Sequence, residues 1–217
     1  RGSGLRGGTQ PAGIYHHVIQ SLRKRRLFFA MFSQPLLTDK VVALRRFLPR
    51  DADALYAATR ESLNDLIPWM SWATPHYGLG EVKEYIRVVG ETWESGRYYA
   101  FAITDARDGT MLGAVSLSHI HPVYNFCNLG YWIRSSRRGN GLASRAARLA
   151  AKFGFEQLHL LRVEIVAAVE NAASIKVAEK SGAHREGILR QRMTVREKVH
   201  DAVMFSFIRS DFGLPPL

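Results

Sequence analysis

Leu129-Gly-Tyr-Trp-Ile-Arg-Ser-Ser-Arg-Arg-Gly-Asn-Gly-Leu-Ala-Ser144, with an amphipathic run on to Gln157, has the pattern of a buried strand, a tight turn and a helix. The turn, Arg138-Gly-Asn-Gly-Leu-Ala143, combines two adjacent arginines with two glycines at a helix start. The first N–H groups of a helix have no intrahelical partner, and the positive end of the helix dipole lies behind them. Such a turn suits a phosphate-bearing ligand. A dinucleotide fingerprint would need a third Gly or Ala where Ser144 stands, and no Gly-Lys-Ser/Thr follows to make a triphosphate loop.

Working outward, Val41–Phe47 reads as a strand rich in β-branched residues. Leu55, Ala58, Ser62 and Leu66 then fall on one face of a helix begun by Pro49-Arg-Asp-Ala-Asp, and a second helix covers about 80–94. Between them lies an aromatic loop, Pro68-Trp69-Met70-Ser71-Trp72-Ala73-Thr74-Pro75. Strands follow at 98–104, 111–118 and 126–133, the first two joined by the turn Asp105-Ala-Arg-Asp-Gly109. After the glycine turn and its helix come a strand at 163–168, a helix at 171–181 closed by Gly182, and two strands at 184–194 and 200–208. This order gives a mixed α/β (α+β) domain without repeats, with about seven strands and about four helices.

The chain has 217 residues, 47% of them hydrophobic, enough for one well-buried domain. Its net charge is +11, but residues 1–30 carry six basic residues and no acid, leaving +5 for residues 31–217. The nucleic-acid reading therefore rests on 1–30, taken as a flexible basic leader or added extension. Met31 is a candidate natural start, and the domain is expected over 31–217. No apolar stretch approaches the ~18 residues needed to span a bilayer. The single cysteine, Cys127, makes no intrachain disulfide and reads as strand core, which suits a cytoplasmic protein.

Arg138–Ala143 matches the R/Q-x-x-G-x-G/A signature, so the chain resembles the GNAT superfamily of acetyl-CoA-dependent N-acetyltransferases. The resemblance extends to Leu129-Gly-Tyr-Trp-Ile before the signature and to Val163-Glu-Ile-Val-Ala-Ala-Val-Glu-Asn171-Ala-Ala-Ser174 after it. It also includes the helix end Ala178-Glu-Lys-Ser-Gly182 and the closing His200-Asp-Ala-Val-Met-Phe-Ser-Phe. Pro68–Ala73 looks like the branch containing ribosomal-protein N-terminal acetyltransferases (RimJ/RimL-like). The match covers about residues 38–212 and implies a mostly antiparallel central sheet.

The resemblance implies that acetyl-CoA is the cosubstrate and that no metal takes part. Its pyrophosphate would meet the amides of Arg138, Gly139, Asn140, Gly141, Leu142 and Ala143. Its pantetheine would run along Tyr131, Trp132 and Ile133, where the strand splays from 163–168, and an amide there would polarise the thioester. Asn171 would hold the pantetheine or cap the next helix. Relatives with a tyrosine seven residues after the asparagine are not matched here, because Ala178 stands there. In the RimJ/RimL-like branch the serine of Asn-x-x-Ser protonates sulfur, which makes Ser174 the candidate catalytic residue. Trp69, Met70 and Trp72 are candidates for the acceptor side, with plain core packing as their alternative.

The base is open. Asn128 and Met193 stand where relatives carry glutamates, leaving His119, His121, Glu164, Glu186 or a water relay. A terminal α-amine (pKa ~7.8) is far more often neutral at pH 7 than a lysine (~10.4). The expected acceptor is therefore the N-terminal α-amine of a protein or peptide. The alternatives are a polyamine, aminoglycoside or amino acid, or a non-catalytic acyl-CoA-binding module. A homodimer is left open.

Overall fold

The period-2 pattern of the central segments builds a single sheet, while the 3.6-period segments cover its two faces. The structure, a computed structural model, describes residues 36–216, and the expected leader at 1–30 lies outside them. The strands are β1 (Leu37–Thr38), β2 (Val42–Arg46), β3 (Tyr99–Asp105), β4 (Met111–His121), β5 (Phe126–Ile133), β6 (Arg162–Ala168), β7 (His184–Val195) and β8 (Lys198–Ile208). Four α-helices join them: α1 (Ala52–Leu66), α2 (Leu79–Glu94), α3 (Leu142–Glu156) and α4 (Ala172–Ser181). The eighth strand, beyond the seven expected, is the two-residue β1. It pairs with β2 by folding back across an Asp39 turn, where Asp39 accepts the N–H groups of Val41 and Val42.

The spatial order is β1-β2-β3-β4-β5-β6-β8-β7. Every pairing is antiparallel except β5 with β6, the two strands connected through α3. One face of the sheet packs on α3 and α4. There Leu117, Leu129, Phe205 and Phe207 meet Ala146, Ala147, Ala150, Ala151 and Phe155. The run of alanines lets α3 lie close to the strands. At Gly154 a Cβ would stand 3.1 Å from Leu160 and 3.3 Å from Leu117 and Val163. On the other face Ala100, Ala102 and Ala114 meet Leu55 and Ala58 of α1 and Val82, Ile86 and Val89 of α2. Each of these side chains exchanges water contact for apolar contact, at about 25 cal/mol per Å² buried.

Alternation along β5 sends neighbouring residues to opposite sides. Tyr131 packs with the α3/α4 core, whereas Trp132 packs against the α1/α2 side and the aromatic loop. Among the described residues no helix is long and apolar enough to cross a membrane.

Candidate active site

β5 and β6 are paired only where Phe126–Asn128 face Arg162–Glu164. Beyond that point β5 stays bonded to β4, and β6 to β8, but the two are no longer paired with each other. The parallel pair thus opens as a V toward its carboxyl ends, where open α/β sheets place their ligand crevices. A cleft of about 630 Å³ lies there, lined by the end of β5, the glycine turn, the first turns of α3 and α4, and Trp69 and Met70.

The turn is shaped as its composition requires. Gly139 (φ 84°) and Gly141 (φ 72°) both lie in the left-handed region, and a Cβ at either would meet nothing within 4 Å. The backbone conformation therefore selects glycine there, and the space above the turn is left open. No side chain caps α3, whose first intrahelical bond runs from Arg145 N–H to the Gly141 carbonyl at 3.2 Å. The N–H groups of Leu142, Ala143 and Ser144 precede that bond and have no acceptor within the helix. Arg137, Arg138, Lys176 and Lys180 also line the cleft. Open space, uncapped amides and four cations suit the phosphates of a nucleotide-type thioester.

Helix α1 holds this turn in place. Glu61 accepts hydrogen bonds from the Arg134 guanidinium and, at 2.7 Å, from Ser136 N–H. Ser62 Oγ accepts Ser135 N–H at 3.0 Å and donates to the Ala58 carbonyl at 2.7 Å. Asp65 accepts the Ser135 hydroxyl and pairs with Arg138 at 2.5 Å. Hydrogen bonds from Arg134, then from Ser136, bring the Glu61 carboxyl down to about 2. Those from Arg138 and Ser135 hold Asp65 below the usual carboxylate range. Arg138 has five N–H donors, so its pairing with Asp65 fixes the side chain without exhausting it.

At the start of α4, Asn171 is the N-cap, its Oδ1 accepting Ser174 N–H at 3.0 Å. The Tyr131 hydroxyl donates to the Ser174 carbonyl at 2.9 Å and lies 3.1 Å from Ser174 Oγ. Burial pushes the Tyr131 phenol up to about 12, so it remains a donor at neutral pH. Tyr131, Asn171 and Ser174 all line the cleft, as do Trp132, Ile133, Arg138, Gly139, Gly141, Leu142 and Ala143.

Two sequence candidates stand outside the lining. Asn140 turns its amide back to the Arg137 and Arg138 carbonyls (3.2 and 3.3 Å) and so braces the turn. Trp72 packs at a tilt against Tyr77 (5.2 Å) and against Trp132 (6.2 Å), which itself lines the cleft. Cys127 is buried, and burial pushes its thiol up to about 12, which fits strand core rather than a nucleophile.

The four side chains weighed as bases are engaged elsewhere. Glu164 and Glu186 both pair with Arg162 (2.7 and 2.8 Å), and Glu186 also accepts the Ser206 hydroxyl at 2.5 Å. Arg162 and Glu164 belong to the closed end of the V. His119 sits in a bulge of β4 with Nδ1 3.0 Å from Ser118 Oγ. His121 stacks on Tyr124 and Phe126 at the same closed end. The sequence reading overlooked His200, which is 5% exposed, with Nδ1 3.1 Å from Glu170 Oε2 and its ring 6.3 Å from Trp69. Its one signal was phase. His200 alternates in step with Ala202, Met204 and Ser206, which share one face of β8.

The profile described as Acetyltransferase (GNAT) domain matches residues 42–184. The chain belongs to the GNAT acetyltransferase family. It is an acetyl-CoA-dependent N-acetyltransferase. This GNAT protein is similar to "Putative ribosomal N-acetyltransferase YdaF" of Bacillus subtilis (strain 168), 28% identical over 181 residues, spanning 79% of this chain and 93% of the relative. Spermidine N(1)-acetyltransferase of Escherichia coli (strain K12) is 29% identical over 105 residues, covering 48% of this chain and 56% of that protein. A solved structure described as a RimL ribosomal L7/L12 alpha-N-protein acetyltransferase in complex with coenzyme A shares the fold. Its TM-score is 0.73 at 20% identity, over 81% of this chain and 98% of that one.

Proposed function

We propose that the enzyme acetylates the N-terminal α-amine of a protein or peptide. The observation that carries this reading is the charge of the rim beside the aromatic loop. Between positions 190 and 198 the β7–β8 hairpin carries Arg190, Arg192, Arg196 and Lys198 against the single acid Glu197, and its Arg196 reaches the carbonyls of Ile67 and Ala73 within the loop. A polycation such as spermidine is repelled by such a rim, whereas an α-amine leading a neutral or acidic peptide is not. The name carried by the Bacillus relative supports the same reading; the shorter match to a spermidine enzyme supports the polyamine alternative.

In this reading the amides of residues 139–143 and Arg138 hold the pyrophosphate of acetyl-CoA, which supplies the acetyl thioester. Unpaired strand amides near Tyr131–Ile133 stabilise the oxyanion. Tyr131 orients Ser174, whose hydroxyl donates a hydrogen bond to the departing sulfur. Trp69 and Met70 receive the acceptor. α-Amines need less help to lose a proton than lysines do. The single buried Cys127 is in keeping with the reducing cytoplasm.

The test is release of free thiol from acetyl-CoA against a panel of peptides with free N-termini, polyamines and aminoglycosides. Turnover is expected with peptides, most with acidic residues behind the terminus. Preference for spermidine or an aminoglycoside overturns the reading. Tight acetyl-CoA binding without turnover of any amine favours a non-catalytic module.

A further inference from the structure

The acetyl-transfer reading leaves one chemical demand unassigned, the proton that the amine must lose. Among the described residues, a buried histidine beside the acceptor wall carries the features such a base needs. His200 lies near the start of β8, directly across from Met193 of β7, on the sheet face that also carries the aromatic loop. Glu170, in the turn between β6 and α4, meets its Nδ1 at 3.1 Å. The Glu170 carboxyl is held below its ordinary value by its own backbone N–H, and further by His200. It is therefore ionised at neutral pH, and an ionised carboxylate only accepts. Nδ1 must carry the hydrogen, which leaves Nε2 of the neutral ring with its lone pair.

Among the described residues Nε2 of His200 has no hydrogen-bond partner, and the side chain keeps a narrow exposed edge, 5% of its surface. Trp69, whose ring lies 6.3 Å from that of His200, lines the cleft, and His200 and Glu170 stand directly behind that lining. The remaining neighbours do not compete for the lone pair. Met193 is neutral, Lys198 acts on Glu170, and Asp201 accepts Gln191 N–H at 2.8 Å.

We propose that His200 is the general base of the transfer, taking the acceptor amine's proton at Nε2 through water that passes beside Trp69, while Glu170 fixes its tautomer. The amine lone pair forms the C–N bond, the C–S bond breaks with its electrons going to sulfur, and the thiolate takes a proton from solvent, either directly or through the Ser174 hydroxyl, which is reprotonated by water as it gives up its own. The proton on Nε2 then passes to water. Base and leaving-group donor stand on opposite faces of the sheet, because Trp132 faces the aromatic loop and Tyr131 faces Ser174.

Two measurements test this. The first needs no acceptor: ¹⁵N–¹H correlation of the imidazole in the full-length protein at neutral pH. The Nδ1–H tautomer is expected, its signature lost in Glu170→Ala; an Nε2–H tautomer overturns the proposal. The second is kinetic, with the peptide found by the thiol-release panel. His200→Ala should lower kcat by roughly 10²-fold or more, leave acetyl-CoA affinity by calorimetry unchanged, and recover turnover with added imidazole. Glu170→Ala should lose about tenfold, because it disturbs orientation alone. Wild-type turnover in His200→Ala overturns the assignment but not the peptide reading. A lowered kcat that imidazole does not restore, in both His200→Ala and His200→Gly, also overturns it. A wild type that turns over no amine overturns both.

Discussion

The donor and acceptor halves proposed for the site are built in different ways. The donor half comes almost wholly from one contiguous stretch, the end of β5 through the first turn of α3, with α4 added by a single crossover. The proposed acceptor half draws on the α1–α2 loop, β5, the turn after β6, and β8, which are remote in sequence. At its centre the donor half uses backbone groups, whose direction is set by φ and ψ, with the side chains of Arg138 and Ser174 at its edges. The acceptor half uses side chains, whose direction depends on what packs behind them. Backbone recognition tolerates sequence change around it, and side-chain recognition does not. Variants that separate the halves therefore test the comparison directly.

The largest separation is expected from Ser174→Ala. It should lower kcat by about 10²-fold and leave acetyl-CoA affinity, read by calorimetry, unchanged. An unaltered kcat would remove Ser174 from the chemistry. Arg138→Glu should do the reverse, weakening acetyl-CoA binding by about 10- to 100-fold, the scale of a lost hydrogen bond to a charged group. Part of that loss arises because the new carboxylate faces Asp65. Equal affinity would refute the turn as the anion site.

Trp69→Ala should raise the acceptor KM by about tenfold while acetyl-CoA affinity holds; a shift in both would show that the halves are not separable there. Gly141→Ala forces a Cβ into the left-handed region at a cost of about 1–2 kcal/mol. With no protein atom near that Cβ, acetyl-CoA affinity should fall beyond what the melting shift predicts. A fall in stability alone would mean that the space above the turn is not used.

The smallest effect concerns the clamp between α1 and the turn. The Glu61 carboxyl is lowered from its ordinary value of 4.5 to about 2. A group depressed on folding adds stability above its unfolded pKa and loses it as pH falls through the folded one. The clamp is therefore intact above about pH 4.5 and released toward pH 2. Glu61→Gln should flatten the fall in Tm across that window, and an unchanged slope would mean that the clamp contributes nothing.

Much of this was legible before the structure. The four helices and seven of the eight strands follow from periodicity, and only β1 was missed, since a two-residue strand has no period. The cleft-lining residues of the turn were legible because glycine, arginine and a helix start are adjacent in the chain. Asn140 and Trp72 stand outside the cleft because a side chain's direction in a turn or irregular loop is set by its contacts. Asn140 is drawn back to two carbonyls and Trp72 is held by Tyr77. The clamp by Glu61 and Asp65 was invisible for a related reason, since it joins residues separated by about seventy positions.

By itself the sequence determined the family, the sheet-and-helix order and the left-handed glycine turn at a helix start, because each rests on local periodicity or on backbone conformation written in neighbouring residues. Only the tertiary structure decided that Arg162 occupies Glu164 and Glu186, that Tyr131 meets Ser174, and that Glu170 and Trp69 converge on His200. Those contacts depend on strand order, in which β8 lies between β6 and β7. They also depend on alternation, which sends Tyr131 and Trp132 to opposite faces.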